Sequence, residues 1–320
     1  MPGDRQQFKK ESEGNRVLIL SIGEILWDVF AQAEHLGGAP LNFSAAAQRL
    51  GNPVVFLTAV GDDPRGRRAI DSMKALGLST EFVQAIRERH TGTAQVSTDH
   101  AGNASYFIQR PAAFDSLVFD DQCLARIESL RPRWIYFGTL ALTNQSTEEI
   151  LRHTLDRLPD VDCFYDINLR EGHWNLALVK RLSSLASIIK LNETEAETLF
   201  RLTCPQAEFS VEQFCRHWSS AYNVESICVT LGGQGCAIFK DNVLLHFGGF
   251  AVKVVDTVGA GDAFAAAFLY GYELAWPLER IAAFANALGA LVAGRAGATP
   301  LWTVDECMQL ITEQSGPEPW

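Results

Sequence analysis

Short apolar runs alternate along the chain with amphipathic or alanine-rich stretches. The runs have the length and unbroken apolarity of strands buried on both faces, and they lie at 17–23, 53–61, 134–140, 163–168, 187–192 and 226–233. Helical patterns separate them, at 41–51, 65–78, 147–158 and 211–223, and a longer one covers 276–300. This alternation predicts an α/β fold in which a doubly wound, mostly parallel sheet is flanked by helices.

One region departs from this alternation. Residues 91–110 alternate polar and apolar side chains on either side of the polar stretch 99–103, which is the pattern of a β-hairpin. A second extended stretch, at 23–38, follows the first predicted strand and ends at a pair of glycines. Segments of about 24–37 and 91–110 are therefore predicted to form a small β lid, which stands off the main sheet and can close over a ligand.

Composition and charge exclude several classes of protein. The chain has 320 residues, of which 47% are hydrophobic, and a formal net charge of −11. This charge argues against broad binding to nucleic acid or to anionic membranes, because both need a basic face. The longest apolar stretch, which ends near Trp276, is too short to span a bilayer. The seven cysteines include no CxxC pair, which fits reduced thiols in a cytoplasmic protein.

The stretch 256–262, with the sequence DTVGAGD, places two glycines and two aspartates just before an alanine-rich helix. A helix that begins near Asp262 would direct its free N–H groups at an anion in this loop. Gly259 and Gly261 would let the backbone approach that anion closely. Neither the Walker A pattern nor the dinucleotide fingerprint is present. The alternative is that Asp262 is simply the N-cap of the helix.

The sequence DTVGAGDAF closely resembles the C-terminal signature of the ribokinase-like (PfkB-type) carbohydrate kinases. On this resemblance, Gly259, Ala260 and Gly261 form the anion hole for the transferring phosphoryl group. Asp262 is then the base that takes the proton of the sugar hydroxyl. The resemblance implies a ribokinase-like kinase domain over 17–315, while residues 1–16 are polar, lack the apolar core of a secretory signal and are predicted to be a disordered leader.

A second motif, at 36–51, resembles the sugar-binding signature of the same family. It implies that Gly38 offers its backbone and Asn42 its amide to the sugar, while Asp28 accepts hydrogen bonds from sugar hydroxyls. The alternative for Gly37 and Gly38 is a tight turn before a helix with Pro40 in its first turn.

Two arginines and an asparagine are further candidates for the sugar site. Asn168 and Arg170 follow Asp166 and a predicted strand, on the side where the carboxyl ends of parallel strands bind ligands. Arg110 follows the predicted hairpin. Either arginine could meet a phosphate, or it could be the partner of a surface ion pair.

Two stretches resemble the family's elements around metal ions. Asn192 and Glu195 match the N-x-x-E motif, which implies that they help to hold Mg²⁺ and its waters; the alternative is a capping box at a helix start. Asp256 and the turn 297–300 resemble the surroundings of a monovalent-cation site. Leu301 occupies a place where some members have a hydroxyl residue, so that K⁺ stays an open cofactor beside ATP and Mg²⁺.

The nucleotide side is implied by a strand, a glycine turn and another strand at 229–239. The residues that match nucleotide-binding positions of the family there are Thr230, Gly232 and Gly235. The alternative is a purely structural glycine hairpin. Asn286, in the late helix, matches a position beside the adenine, but a polar side chain on an alanine-rich helix could simply face solvent.

Together these motifs imply an ATP-dependent sugar kinase. The pairing of GGAPLN with DINLREGHW most resembles fructokinases, which implies transfer of the γ-phosphoryl group to a primary hydroxyl of fructose. The alternatives are a 2-keto-3-deoxygluconate or riboside kinase of the same family, and a non-catalytic regulator that binds sugar or nucleotide. The implied partners are a small sugar and ATP, without nucleic acid or membrane. A homodimer through the lid and a monomer both stay open.

Overall fold

The computed structural model describes residues 16–98 and 104–315. The strands of this part of the chain are β1 (Ile19–Ile22), β2 (Leu26–Val29), β3 (Glu34–Gly37), β4 (Val54–Gly61), β5 (Val83–Ile86), β6 (Gly92–Thr98), β7 (Ala104–Ile108), β8 (Trp134–Gly138), β9 (Asp162–Asp166), β10 (Ile188–Asn192), β11 (Ser226–Thr230), β12 (Cys236–Lys240) and β13 (Val243–Phe247). The α-helices are α1 (Ala39–Arg49), α2 (Pro64–Ala75), α3 (Asp121–Leu130), α4 (Gln145–Arg157), α5 (Leu176–Ser183), α6 (Glu193–Thr203), α7 (Val211–Tyr222), α8 (Ala260–Glu273), α9 (Leu278–Ala293) and α10 (Val304–Ser315).

The larger of two sheets has the strand order β13-β12-β11-β10-β9-β8-β1-β4-β5. Neighbouring strands run parallel from β11 to β5, and β12 and β13 add an antiparallel edge. Each apolar run of the sequence forms one of the parallel strands, because helices cover both faces of the sheet and leave two apolar cores on opposite sides. The predicted doubly wound α/β fold is therefore confirmed.

The helices begin and end where local sequence requires. Asp63 is the N-cap of α2, and its carboxylate accepts a hydrogen bond of 2.7 Å from the Gly66 N–H. The long helical pattern at 276–300 forms α9, which ends at Gly294 and packs against α8. Among the described helices, none is long and apolar enough to cross a membrane.

The lid is a second sheet, with the strand order β3-β2-β6-β7. It contains two antiparallel pairs, β2 with β3 and β6 with β7, joined by parallel pairing of β2 with β6. The predicted small β lid is thus present, although the sheet is mixed rather than purely antiparallel. The predicted turn at 99–103 and all of the predicted leader except Arg16 lie outside the described residues, and the domain limits of 17–315 stay a prediction.

One corner of the lid is fastened to α2. The Trp27 indole N–H donates to the Arg65 carbonyl at 3.1 Å, and Arg65 and Arg68 each lie 2.5 Å from the Glu34 carboxylate. The Arg68 guanidinium also stacks over the Trp27 ring, 4.4 Å from its centroid. Strand β2, which carries Asp28 on its other face, is therefore held firmly against the main domain.

Candidate active site

Two cavities meet at the start of α8. The first, of about 380 Å³, lies between the lid and the carboxyl ends of the parallel strands. It is lined by Glu24, Leu26, Asp28, Gly38, Ala39, Asn42, Ala94, Ile108, Leu140, Asn168, Arg170, Asn192, Thr257, Val258, Gly259, Gly261 and Asp262. The second, of about 360 Å³, lies between α8, α9 and the β11–β12 turn. Thr257 and Gly261 line both cavities, so that one loop separates two ligand-sized spaces.

The N-cap of α8 is Gly259, which has a φ of 80°. A Cβ atom at Gly259 would clash with the Ala298 carbonyl oxygen, so glycine is required both by backbone conformation and by space. Glycine has no capping side chain, so the N–H groups of Gly261 and Asp262 stay available to a ligand, whereas the Ala260 N–H donates to the Thr257 carbonyl at 3.3 Å. Ala260, Gly261 and Asp262 are the first three helical residues.

The alternative prediction that Asp262 is the N-cap is wrong. Asp262 lies within the first turn, and its Oδ2 atom accepts a hydrogen bond of 2.8 Å from Nδ2 of Asn42. The carboxylate is thus directed into the first cavity, where it is only 8% exposed. Burial, reinforced by the nearby Asp166 carboxylate, raises the pKa of Asp262 to about 6. A carboxylate with this pKa can take a proton near neutral pH.

A buried ion pair lies directly beneath this loop. Nζ of Lys190 is 3.0 Å from both carboxylate oxygens of Asp166, and the Tyr136 hydroxyl donates to the same carboxylate at 3.0 Å. An ideal Cβ on Gly261 would lie 3.1 Å from Nζ of Lys190, so the ammonium group is adjacent to the loop. Lys190 was not among the predicted site residues. Its signal was a lysine inside the apolar run of β10, because lysine is almost never fully buried without a partner.

The first cavity brings together most of the predicted sugar-binding residues. Asp28 is buried, and burial raises its pKa to about 6. Gly37 leaves room for it, because a Cβ there would lie 2.5 Å from the Asp28 Oδ2 atom. Gly38 is the N-cap of α1, with a φ of 114° and a proline in the first turn, so the predicted structural turn is confirmed. Glu24, which also lines this cavity, was not predicted.

The loop after β9 supplies Asn168 and Arg170, and both line the first cavity as predicted. Asn168 has a φ of 44°, a left-handed conformation that asparagine adopts more readily than most residues. The loop is fixed by the Leu169 N–H, which donates to Oε1 of Glu195 at 2.8 Å. Arg170 is exposed at the edge of the cavity, and its charge offsets part of the rise in pKa that burial causes in the carboxyl groups of Glu24, Asp28 and Asp262.

Arg110 is not brought into the cavity. Its guanidinium forms an ion pair with the Asp115 carboxylate, bonds to the Thr143 hydroxyl and donates to the Leu140 carbonyl at 3.2 Å. These contacts hold the base of the lid against the loop that follows β8. The predicted role of Arg110 in binding substrate is therefore not supported by its position, and the ion-pair alternative describes it, although the pair is largely buried rather than at the surface.

The second cavity contains the predicted nucleotide-side residues Thr230, Gly232, Gly235 and Asn286. Gly235 has a φ of 98°, which fits the structural glycine turn between β11 and β12. Asn286 is 7% exposed, and its Nδ2 atom donates to the Gly248 carbonyl at 3.1 Å. The alternative in which Asn286 faces solvent is therefore wrong. Apolar side chains, among them Val252 and Phe264, line much of the remaining wall.

Comparison with known proteins identifies the family of the chain. A sequence profile described as pfkB family carbohydrate kinase matches residues 18–304. The chain belongs to the PfkB family of carbohydrate kinases. A probable fructokinase-3 from Arabidopsis thaliana is 26% identical over 95% of this chain and 94% of its own length. A fructokinase from Vibrio alginolyticus is 28% identical over 86% of this chain and 91% of its own.

A solved structure agrees with this family in fold. The fructokinase from Xylella fastidiosa with bound ATP superposes with a TM-score of 0.82 at 25% identity, over 93% of this chain and 99% of that one. The mostly parallel sheet with a separate lid is thus the fold of a PfkB kinase.

Asn192 ends β10 and lines the first cavity, and Glu195 lies in the first turn of α6. They form the predicted capping box: the Glu195 N–H donates to Oδ1 of Asn192 at 2.9 Å, and the Asn192 N–H donates to Oε2 of Glu195 at 2.9 Å. Each Glu195 oxygen accepts a backbone hydrogen bond and keeps a second acceptor position. A carboxylate of this kind fits Mg²⁺ held through water, because hard cations prefer oxygen ligands.

The region predicted for a monovalent cation is closed by backbone contacts. Oδ1 of Asp256 accepts from the Val258 N–H at 3.0 Å, and Oδ2 accepts from the Gly297 N–H at 3.1 Å. Asp256 thereby joins the loop before α8 to the turn after α9. Within the described residues, no group of three or more His, Cys, Asp or Glu side chains is arranged to hold a metal ion. Binding of K⁺ at Asp256 stays a prediction.

Proposed function

We propose that this PfkB kinase transfers the γ-phosphoryl group of ATP to a primary hydroxyl of a sugar, with fructose as the acceptor and fructose 6-phosphate as the product. The observation that carries this proposal is the position of Asp262. Its buried carboxylate lines the first cavity next to Gly261, which lines both cavities, at the start of the helix whose N–H groups face the same loop. In this proposal a base and an anion site therefore lie side by side.

In the proposed reaction, the sugar lies in the first cavity with its hydroxyl at Asp262. The carboxylate takes the hydroxyl proton as the oxygen attacks the γ-phosphorus, and the bond to the β-phosphate oxygen of ATP breaks. The Asn42 amide holds the carboxylate in place through its 2.8 Å hydrogen bond. Backbone N–H groups of the first turn of α8, together with the ammonium group of Lys190, stabilise the negative charge of the phosphoryl oxygens.

The nucleotide is proposed to occupy the second cavity. Its adenine would contact the apolar wall near Asn286, and its phosphates would extend past Thr257 and Gly261 to the loop. When bound, Mg²⁺ neutralises charge on the phosphates, and Asn192 and Glu195 would hold it through waters. The lid, through Leu26, Ala94 and Ile108, covers the sugar and excludes water, which would otherwise accept the phosphoryl group.

Fructose is proposed because the similar proteins from Arabidopsis thaliana and Vibrio alginolyticus are named fructokinases. A 2-keto-3-deoxygluconate kinase is the second candidate, since Arg170 at the edge of the cavity could pair with the carboxylate of a sugar acid. A non-catalytic regulator is disfavoured by the buried, pKa-shifted Asp262. Cytoplasmic location and a lid-mediated dimer stay predictions.

The direct test is a coupled assay for ADP release from Mg-ATP with a panel of ketoses, aldoses, sugar acids and nucleosides. We expect turnover with fructose and loss of that turnover in Asp262→Asn. Absence of sugar-dependent ADP release across the panel would refute the kinase proposal. Turnover only with a sugar acid or a nucleoside would keep the kinase and replace its substrate.

A further inference from the structure

The sugar cavity contains a buried carboxylate that the proposed reaction does not use. Glu24 follows β1 directly, lines the cavity and is 5% exposed. Within the described part of the chain, its Oε2 atom is buried and has no hydrogen-bond partner. An unpartnered buried carboxylate oxygen is costly, and a ligand that donates a hydrogen bond to it recovers that cost.

Two other side-chain atoms around the same cavity are also buried and unpartnered within the described residues. Oδ1 of Asn42 and Nδ2 of Asn168 are buried, and neither has a partner among the described residues. The Asn42 amide already donates to Asp262, which leaves its carbonyl oxygen as an acceptor. The cavity thus offers two acceptors and one donor that the protein itself leaves open. A hydroxyl group can both donate and accept, so a polyol matches this set.

The charges around the cavity are strongly unequal. Glu24, Asp28 and Asp262 are all buried acids that line it, whereas Arg170 at its edge is exposed. The Lys190 ammonium group beneath the loop already faces the Asp166 carboxylate at 3.0 Å. An acceptor that carries its own carboxylate would therefore meet more negative than positive charge. Repulsion of this kind is a common means of rejecting a wrong substrate.

We propose that Glu24 determines specificity: its free carboxylate oxygen accepts a hydrogen bond from a substrate hydroxyl and selects uncharged polyhydroxy sugars over sugar acids. This inference rests on the proposed kinase function and adds a discriminating residue to it. Glu24 is distinct from the base, because Glu24 follows β1 whereas Asp262 lies in the first turn of α8.

Glu24 also has a structural contact, which the test must separate from substrate binding. Backbone N–H groups of Glu24 itself and of Ala39, the first residue of α1, stabilise the charged form of its carboxylate. Glu24→Gln keeps one oxygen to accept from this helix start. It also removes the negative charge and puts an amide donor on the side chain, where a substrate hydroxyl would meet a donor rather than an acceptor.

The experiment combines titration calorimetry of the nucleotide-free protein with steady-state kinetics at saturating Mg-ATP, using fructose and 2-keto-3-deoxygluconate as probes. The proteins are wild type, Glu24→Gln and the matched control Glu148→Gln. Glu148 is another buried glutamate, but it lies on α4 and is paired with Arg152 and Arg181, away from both cavities. Thermal unfolding of each variant reports any loss of the contact between Glu24 and α1.

We expect wild type to bind fructose more tightly than 2-keto-3-deoxygluconate. Glu24→Gln should raise KM for fructose by about tenfold to hundredfold, with a smaller change in kcat, and should narrow the preference for the neutral sugar. The control should keep the wild-type KM values. An unchanged ratio of the two affinities in Glu24→Gln overturns the inference but leaves the kinase intact, as does a wild type that prefers the acid. Failure of wild type to bind or phosphorylate any sugar overturns both proposals.

Discussion

The two cavities that meet at α8 are built from different kinds of group. On the sugar side, four buried polar side chains line the wall, namely Glu24, Asp28, Asn42 and Asp262. On the nucleotide side, glycines and apolar residues predominate, and Asn286 is a buried polar side chain that already bonds to a backbone carbonyl. On the proposed function, side chains would therefore recognise the sugar, whereas backbone and shape would recognise the nucleotide.

This contrast has an electrostatic consequence. Burial raises the pKa of Glu24, Asp28 and Asp262 to about 6 in each case. Their ionised forms are thus destabilised in the folded protein before any ligand arrives. On the sugar side, the burial of these carboxylates costs free energy that hydrogen bonds to a bound polyol can offset. The nucleotide cavity carries little cost of this kind. Replacing one of these acids with its amide should accordingly stabilise the folded protein while impairing the function of the first cavity.

The largest effect is expected for Asp262→Asn. The amide cannot take the hydroxyl proton, so kcat should fall by about 10²–10⁴-fold in the coupled ADP assay. The pKa of Asp262 is raised on folding from 3.8 to about 6, so its ionisation increasingly favours the unfolded state as the pH rises from 3.8 through about 6, and the full effect is present at pH 8. At pH 8 the variant should therefore be more stable than wild type by about 1–3 kcal/mol in urea unfolding.

The control for this variant is Asp71→Asn, which makes the same change on an exposed side chain of α2. It should alter neither turnover nor stability at pH 8. Turnover of Asp262→Asn within tenfold of wild type would contradict its role as the base. A lower stability at pH 8 would contradict the argument from burial.

A second, smaller effect on turnover is expected for Lys190→Met. Removing the cation leaves Asp166 as a buried charge without its partner, which should destabilise the protein by about 3–5 kcal/mol. The double variant Lys190→Met/Asp166→Asn should recover most of this stability, because no isolated buried charge remains. If the ammonium group also stabilises the phosphoryl group, kcat of the folded double variant should stay reduced by about 10²-fold.

Urea unfolding and the ADP assay on both proteins separate these roles. A double variant with wild-type kcat would show that the ion pair serves folding alone. Wild-type stability of the single variant would contradict the burial of the pair.

The pH dependence should differ between the two cavities. Below pH 6 the three sugar-side acids take up protons, Asp262 loses its function as a base, and Asp28 and Glu24 lose acceptor positions. Between pH 8 and pH 5, kcat/KM for fructose should fall by more than about tenfold, with a slope steeper than one proton. Titration of KM for Mg-ATP over the same range should show a much smaller change. Equal changes in kcat/KM for fructose and in KM for Mg-ATP would contradict the expected difference between the two cavities.

The sequence was most informative where a single short segment forms part of the site. The loop 256–262 and the turn 36–42 are each continuous in sequence, so Gly259, Gly38 and Asn42 could be placed from local pattern and family resemblance alone. The strands were equally clear, because a sheet covered on both faces needs unbroken apolar runs.

Pairings between distant segments could not be predicted in this way. The contact of Asn42 with Asp262 spans 220 positions, and it explains why Asp262 points into the cavity instead of capping α8. The two alternatives for Arg110 could not be separated from the sequence, because its contacts with Leu140 and Thr143 lie 30 and 33 positions away. Lys190 lies inside an apolar run and Glu24 directly after one. Both were overlooked because neither belongs to a known motif, although their burial is what makes them informative.

The smallest effect is expected for Asn286→Ala. Loss of the 3.1 Å hydrogen bond to the Gly248 carbonyl should raise KM for Mg-ATP by about fivefold, since a neutral hydrogen bond contributes about 1 kcal/mol, and should leave KM for fructose unchanged. The matched control is Asn52→Ala, because Asn52 is also buried but accepts from the Val17 N–H, away from both cavities. A larger rise in KM for fructose than for Mg-ATP would mean that Asn286 acts through the shared loop. Binding in one cavity would then depend on the other cavity.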